Sequence, residues 1–246
     1  MWQLLRYCCV AGMLAAPAYS WSDTLRLVAD PWPPFTGARL DGGGLATTIV
    51  TTALERAGYS VQFEEAPWAR ALMGIGDGRY DVLVDAWFSP ERSKLGQYSA
   101  GYLTNRIRFV RLRGSGIEFH DGLQGLYPFP IAVVRGYAYT EAFDTDMQLQ
   151  KVPVQSFRAA VAMLLGGRVK LAVEDEYVAT YLLNQQPATV RDQVELMDPP
   201  LAENSLHILV SLKHPDHDAI VKAFDHAVVG MRTDGSLARL LKAYGL

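Results

Sequence analysis

Short apolar runs and longer amphipathic stretches take turns along this chain, separated by glycines and prolines. Leu25-Arg-Leu-Val28 reads as a strand, and the turn Asp30-Pro-Trp-Pro-Pro-Phe35 follows it. Gly42-Gly-Gly44 opens a helix predicted over Leu45–Ala57, and Gly58 stops it by taking the left-handed conformation that ends helices. Val61–Phe63 is the next strand, and Trp68–Ile75 a short helix closed by Gly76 and Gly78. Asp81–Val84 carries an unbroken apolar run, the pattern of a strand covered on both faces. A helix is expected to start near Ser89-Pro90-Glu91, and Ile107–Leu112 is extended.

The second half repeats the theme. Pro130–Val134, Lys151–Val154 and Val169–Val173 read as strands, and Gly136 marks a turn and a helix start. Ser156 caps a helix over Phe157–Leu165, and a further helix covers Asp175–Leu183. The chain ends on a strand, His207–Leu212, and helices over Pro215–Arg232 and Ser236–Tyr244. Strands alternating with helices predict an α/β protein built of βαβ units around mostly parallel sheet. Two breaks, Arg113-Gly-Ser-Gly116 and Asp198-Pro-Pro200, bracket the second run. They divide the chain into lobe 1 (24–111 plus 203–246) and lobe 2 (112–202). Two crossings between lobes are the connectivity of a hinged clamshell.

The first twenty residues set the compartment. Arg6 is their one charge, Tyr7–Ala16 is uncharged and mostly apolar, and Ala16-Pro-Ala18 and Ala18-Tyr-Ser20 are small-x-small. A short positive region, an apolar stretch and a small-residue cleavage site describe a secretory signal, 1–20, expected to be cleaved after Ser20 and to deliver the protein to the periplasm. The run is too short for a membrane anchor, which takes roughly 20 apolar residues. Both cysteines, Cys8 and Cys9, lie inside this signal, so the exported chain has no disulfide, thiol or cysteine-ligated metal. Loss of Arg6 takes the net charge from −3 to −4, and no basic cluster stands out, which argues against nucleic acid as a partner.

The chemistry gathers in Gly78-Arg-Tyr-Asp81-Val-Leu-Val-Asp85-Ala-Trp-Phe-Ser89-Pro-Glu-Arg92. A buried strand ends there, and in open α/β sheets ligands bind beyond the carboxyl ends of strands. An ensuing helix N-terminus would offer N–H groups to an anion, with the Ser89 hydroxyl and the Arg92 fork beside them. Two readings of Arg92 stand at this level, a carboxylate grip in a cleft and a surface ion pair.

Gly78-x-Tyr-Asp81, Ser89-Pro-Glu-Arg92 and Tyr98-Ser99-x-x-Tyr102 together resemble the signature of family 3 extracellular solute-binding proteins, the polar amino-acid-binding proteins of ABC importers. The resemblance extends from Leu25 to Leu246, through Pro33-Pro34-Phe35, Ile131-Ala-Val-x-x-Gly136 and Gly167-Arg-Val-x-x-x-Val173-x-Asp175. It implies a periplasmic binding protein type II clamshell, monomeric, that closes on an amino-acid-like or carboxylate ligand and serves an inner-membrane ABC permease. It also implies that Ser89 and Arg92 hold the ligand's carboxylate and that Asp175 holds its ammonium, although an aspartate before an apolar run is also a helix cap. Trp32, Phe35, Trp68 and Trp87 are candidate cleft walls, and Arg70 faces either ligand or solvent. The chain departs from the family at Gly136, which is followed by Tyr137 where a small hydroxyl residue is usual, and at Lys170, where aspartate is common. These changes admit a bulkier or more acidic ligand.

Other chemistry is thin. His214-Pro-Asp-His217 reads as a solvated turn before a helix and not a metal site, and the glycine triplet lacks the Lys-Ser/Thr of a phosphate loop. No cofactor is implied. An exported dehydratase-type enzyme on the same scaffold is the alternative, with Asp85, Glu174 and Glu203 as its candidate acids. A ligand sensor or adaptor without transport is another. The reading adopted is binding without catalysis. Protein recovered from a Gram-negative periplasm is expected to begin near Trp21; N-terminal sequencing that finds Met1 there overturns the export reading.

Overall fold

The computed structural model describes residues 24–120 and 122–245, so the signal segment lies outside the described residues. Strands β1 (Thr24–Ala29), β2 (Ser60–Glu65) and β3 (Val82–Trp87) form a parallel set in the order β2-β1-β3. Their connections are the predicted helices, α1 (Leu45–Arg56) and α2 (Trp68–Asp77). A second parallel set repeats the arrangement with β6 (Ile131–Val134), β7 (Lys151–Val154) and β8 (Leu171–Asp175), in the order β7-β6-β8. Helices α3 (Glu141–Thr145) and α4 (Phe157–Leu165) connect these strands. Ser156 caps α4 as expected, its hydroxyl accepting from the Ala159 N–H. Helix α5 (Glu176–Asn184) follows β8, and a single turn, α6 (Ala188–Arg191), leads to β9.

Two long strands join the sets. β5 (Leu103–Leu112) and β10 (Ala202–Ser211) pair antiparallel with each other over Leu103–Ile107 and Ala202–Leu206. Beyond that overlap β10 runs on against β3, and β5 runs on against β8. Short strands β4 (Gly96–Tyr98) and β9 (Val194–Leu196) add to β10 and β5 respectively. The result is one curled, hydrogen-bonded sheet of ten strands, not two separate ones. Each half is a parallel set closed by an antiparallel strand. Helices α7 (His217–Thr233) and α8 (Ser236–Ala243) return to the first half, where α7 packs against α1.

β3 is buried along its whole length, as its unalternating sequence requires. The Tyr80-Asp81 pair of the motif fastens its start. The Asp81 carboxylate accepts from the backbone N–H of Arg26 at 2.8 Å and from its guanidinium at 2.7 and 2.9 Å, which holds that carboxyl below its usual range despite burial. The Tyr80 ring lies on Gly74 where a β-carbon would meet it at 2.4 Å, so α2 approaches only because residue 74 is glycine.

Three expected elements differ. No α-helix follows Ser89; the chain makes one 3₁₀ turn, Arg92–Lys94, and enters β4 at Gly96. So few residues before a paired strand cannot complete the nucleus of a longer helix. Gly136 opens a turn, but the helix waits until Thr140 caps α3. The last strand starts at Ala202 and not at His207, because its first half pairs with β5.

Candidate ligand-binding cleft

The carboxyl ends of β1, β3 and β6 converge on one narrow cavity with room of about 20 Å³. Asp30 and Trp32 follow β1, Asp85 and Trp87 end β3, Trp68 opens α2, and Arg92 lies in the 3₁₀ turn. Tyr137 reaches in from the opposite half, after β6. The site is therefore assembled at strand termini from both halves, as open α/β sheets favour.

Aromatic rings make the walls. Trp32 meets Trp87 edge-on at 5.4 Å and 85°, Trp87 meets Tyr137 at 5.5 Å and 83°, and Tyr137 meets Trp68 at 5.8 Å and 72°. Such near-perpendicular, edge-to-face contacts are a preferred packing of aromatic rings. Contacts across the cleft tie the halves together. The Trp68 indole donates to the Gly136 carbonyl at 3.1 Å, the Trp32 indole to Glu174 at 3.2 Å, and the Tyr137 hydroxyl lies 3.4 Å from Asp30 Oδ2.

Arg92 is 5% exposed and lies 4.7 Å above the Trp68 ring. Its Nη1 donates to the Trp87 carbonyl at 2.7 Å and its Nη2 to the Gly136 carbonyl at 2.8 Å. No Asp or Glu among the described residues forms an ion pair with it. The surface ion-pair reading of Arg92 therefore falls. Burial without a counter-ion pulls its pKa down.

Two buried acids, Asp30 and Asp85, feel this cation, and two more, Glu174 and Asp175, lie deeper. Burial pushes Asp30 up to about 7, with the Glu65 charge adding to it and a Tyr137 hydrogen bond and Arg92 opposing. Asp85 is raised well above the carboxylate range by burial and then by the Asp30 charge. The Thr36 hydroxyl donates to its Oδ2 at 3.0 Å, while its Oδ1 has no partner. Burial lifts Glu174 to about 8 and Asp175 to about 7.

The sequence-predicted residues divide. Trp32, Trp68, Trp87, Arg92 and Tyr137 line the cavity, and the Gly136 carbonyl holds Arg92. Phe35 stands behind Trp32 in the core, 4.7 Å away. Ser89 stays outside the lining: its hydroxyl donates to Glu91 at 2.6 Å and its N–H to the Tyr98 hydroxyl at 3.1 Å. With no helix after it, Ser89 presents no helix N-terminus to an anion. Asp175 is also not brought to the cavity. One carboxylate oxygen caps α5 at the Tyr177 and Val178 N–H groups, and the other accepts from Asn105 at 3.0 Å. Arg70 is exposed on α2. Of the acids named for an enzyme, Asp85 lines the cavity, Glu174 lies behind Trp32, and Glu203 is exposed on β10. Sequence reasoning missed Asp30 altogether and overlooked Asp85 as a wall residue. The signal was present, since an acid inside the otherwise apolar run Val82–Trp87 demands a reason.

This arrangement defines a two-lobed ligand-binding protein of the periplasmic binding protein type II class. The profile of bacterial extracellular solute-binding proteins, family 3, matches residues 25–246, and the chain belongs to that family. No curated protein matches it in sequence. Among solved structures, a histidine kinase sensor domain with similarity to periplasmic binding proteins aligns with TM-score 0.79 at 17% identity, over 90% of this chain and 96% of that one. A mutant of ArgBP from T. maritima aligns with TM-score 0.75 at 16% identity, over 89% and 94%. The ancestral amino acid-binding protein AncCDT-1, a precursor of cyclohexadienyl dehydratase, aligns with TM-score 0.72 at 18% identity, over 89% and 94%. At such identities the likeness speaks for the fold alone.

The raised acids set a direction of pH dependence. Asp30, Asp175 and Glu174 keep their protons in the folded chain up to about 7, 7 and 8, whereas the unfolded chain releases them near pH 4. The folded state binds more protons across that window, so this contribution to stability falls as pH rises through it. The melting temperature of the ligand-free protein is expected to drop between about pH 5 and 8, and Glu174→Gln to shrink the drop. A flat or rising wild-type profile by scanning fluorimetry contradicts this account.

Proposed function

We propose that this protein is a periplasmic solute-binding protein that closes lobe 1 (24–111 plus 203–246) and lobe 2 (112–202) on a small amino-acid-like or carboxylate ligand, and delivers it to an inner-membrane ABC permease. The observation that carries the reading is Arg92, a guanidinium buried at the meeting of the two halves, braced by carbonyls and an indole and facing a cavity with no carboxylate bonded to it. A desolvated cation of this kind stands ready for an anionic group that arrives with a ligand. Family membership supports capture of a small solute, and an amino acid-binding protein among the structural neighbours accords with the ligand class. Both neighbouring lobes supply contacts, so closure and occupancy favour each other.

A thermal-shift screen of the exported protein against amino acids, dicarboxylates and amines tests the reading, because a ligand bound to the folded state stabilises it in proportion to its excess over Kd. Absence of any stabilising compound would count against it. Truncation of Arg92 to alanine leaves the ligand's anionic group unpaired, which costs about 2–5 kcal/mol, or roughly 30-fold or more in affinity. Arg92→Lys is expected to fall short of full rescue, since an ammonium cannot reproduce the planar fork. Wild-type affinity in Arg92→Ala by calorimetry removes Arg92 from the site.

Ligand incubated with excess protein is expected to be recovered unchanged. A new product by mass spectrometry would transfer the reading to an exported dehydratase-type enzyme, with Asp85 as the acid that faces the ligand.

A further inference from the structure

The charges around the cavity do not fit a ligand that is only an anion. Arg92 is the one cation among the described residues that line it, against two acids, Asp30 and Asp85. The Arg92 guanidinium already spends two donors on carbonyls and one face on Trp68. Asp85, 5% exposed, keeps one carboxyl oxygen with no hydrogen-bond partner. A buried oxygen left unsatisfied is costly, and a nitrogen donor brought by a ligand would relieve it. The Asp30 charge raises Asp85 and Glu174, and the Glu65 charge raises Asp30, with the hydroxyls of Tyr102 and Tyr137 close by. A positive ligand charge would let these acids ionise together. The walls agree, because Trp32, Trp87 and Tyr137 line the cavity and aromatic rings attract cations most strongly when water is excluded. The acid that the family resemblance assigned to an ammonium, Asp175, is occupied by a helix cap and Asn105.

We infer that the cavity binds an ammonium group on the lobe 1 side, its N–H donors on Asp85 and Asp30 and its alkyl stem against Trp32, Trp87 and Tyr137. This deepens the proposed function and rests on it: the same cleft takes the ligand, but its cationic end, and not its carboxylate alone, selects it. With room of only about 20 Å³, the cavity as it stands holds a group the size of an ammonium, and the two halves part to admit the stem of a compact alkylammonium or a short zwitterion.

A matched series isolates the charge. Butylammonium, butanol, butyrate and 2-aminobutyrate share a short carbon skeleton and differ in their charged groups. In thermal shift and calorimetry on the exported protein, both ammonium-bearing compounds are expected to bind and butanol and butyrate are not. Asp85→Asn and Asp30→Asn are each expected to weaken the better of the two about tenfold or more, as loss of a charge-assisted bond in a dry site does. Circular dichroism checks that each variant is folded, and the wild-type series decides alone where one is not. Binding of butyrate equal to that of 2-aminobutyrate, with none of butylammonium, overturns the inference and leaves the carboxylate-binding reading standing. No binding by either ammonium compound overturns it as well, and so does wild-type affinity in both variants.

Discussion

The antiparallel pairing of β5 with β10 is the constraint on which everything else hangs. Their overlap, Leu103–Ile107 on Ala202–Leu206, is the seam between two otherwise similar halves. Each strand continues past the seam to close one parallel set, β10 beside β3 and β5 beside β8. The carboxyl ends of β1, β3 and β6 consequently turn toward a common region, which is why residues as distant in sequence as Asp30, Arg92 and Tyr137 line one cavity. Each half keeps its own helices on this pair of extended strands, while one apolar cluster, with Leu27 and Ile49 on one side and Phe143 and Leu171 on the other, runs across the seam. Cluster packing follows this division in part: Val110, Ala132, Phe157 and Leu164 fill one side, and Val28, Ile75, Leu83 and Leu209 another.

Asn105 lies within this seam and connects it to the site. Fully buried on β5, it accepts from the Trp87 indole at 3.0 Å and donates to Asp175 at 3.0 Å. One side chain thereby orients a cavity wall of one half and the cap of α5 in the other. Burying a polar group with both ends satisfied is inexpensive, and its directionality fixes geometry that apolar packing would leave loose.

The cleft is organised at the expense of stability. Four carboxyl groups and a guanidinium are buried in and around the cleft with no ion pair to Arg92 and one Asp85 oxygen unsatisfied, and each is shifted toward its neutral form. A core evolved only to fold would replace them with apolar side chains. Their retention makes sense where a charged ligand supplies the missing partners, because binding free energy then offsets the desolvation already incurred. The same logic favours assembly from both halves, since neither alone encloses the charge.

Much of the fold was legible in the sequence because it depends on local and periodic signals. Glycines after α1 and α2, the Ser156 cap, and the apolar run of β3 each act within a few residues, so the βαβ order followed from them. Trp32, Trp68, Trp87 and Arg92 stood out as candidates too, as large or charged residues at turns and element ends, whereas Phe35, named with them, packs in the core. The tertiary structure alone decided the rest. Whether Ser89 begins a helix depended on β4 pairing with β10, a contact more than a hundred residues away. Whether Asp175 meets a ligand or caps α5 depended on Asn105 arriving from β5. The importance of Asp30 and Asp85 became visible only when the sheet placed both beside Arg92, because a carboxylate's role is set by the charges and the water around it, and neither is written next to it in the chain.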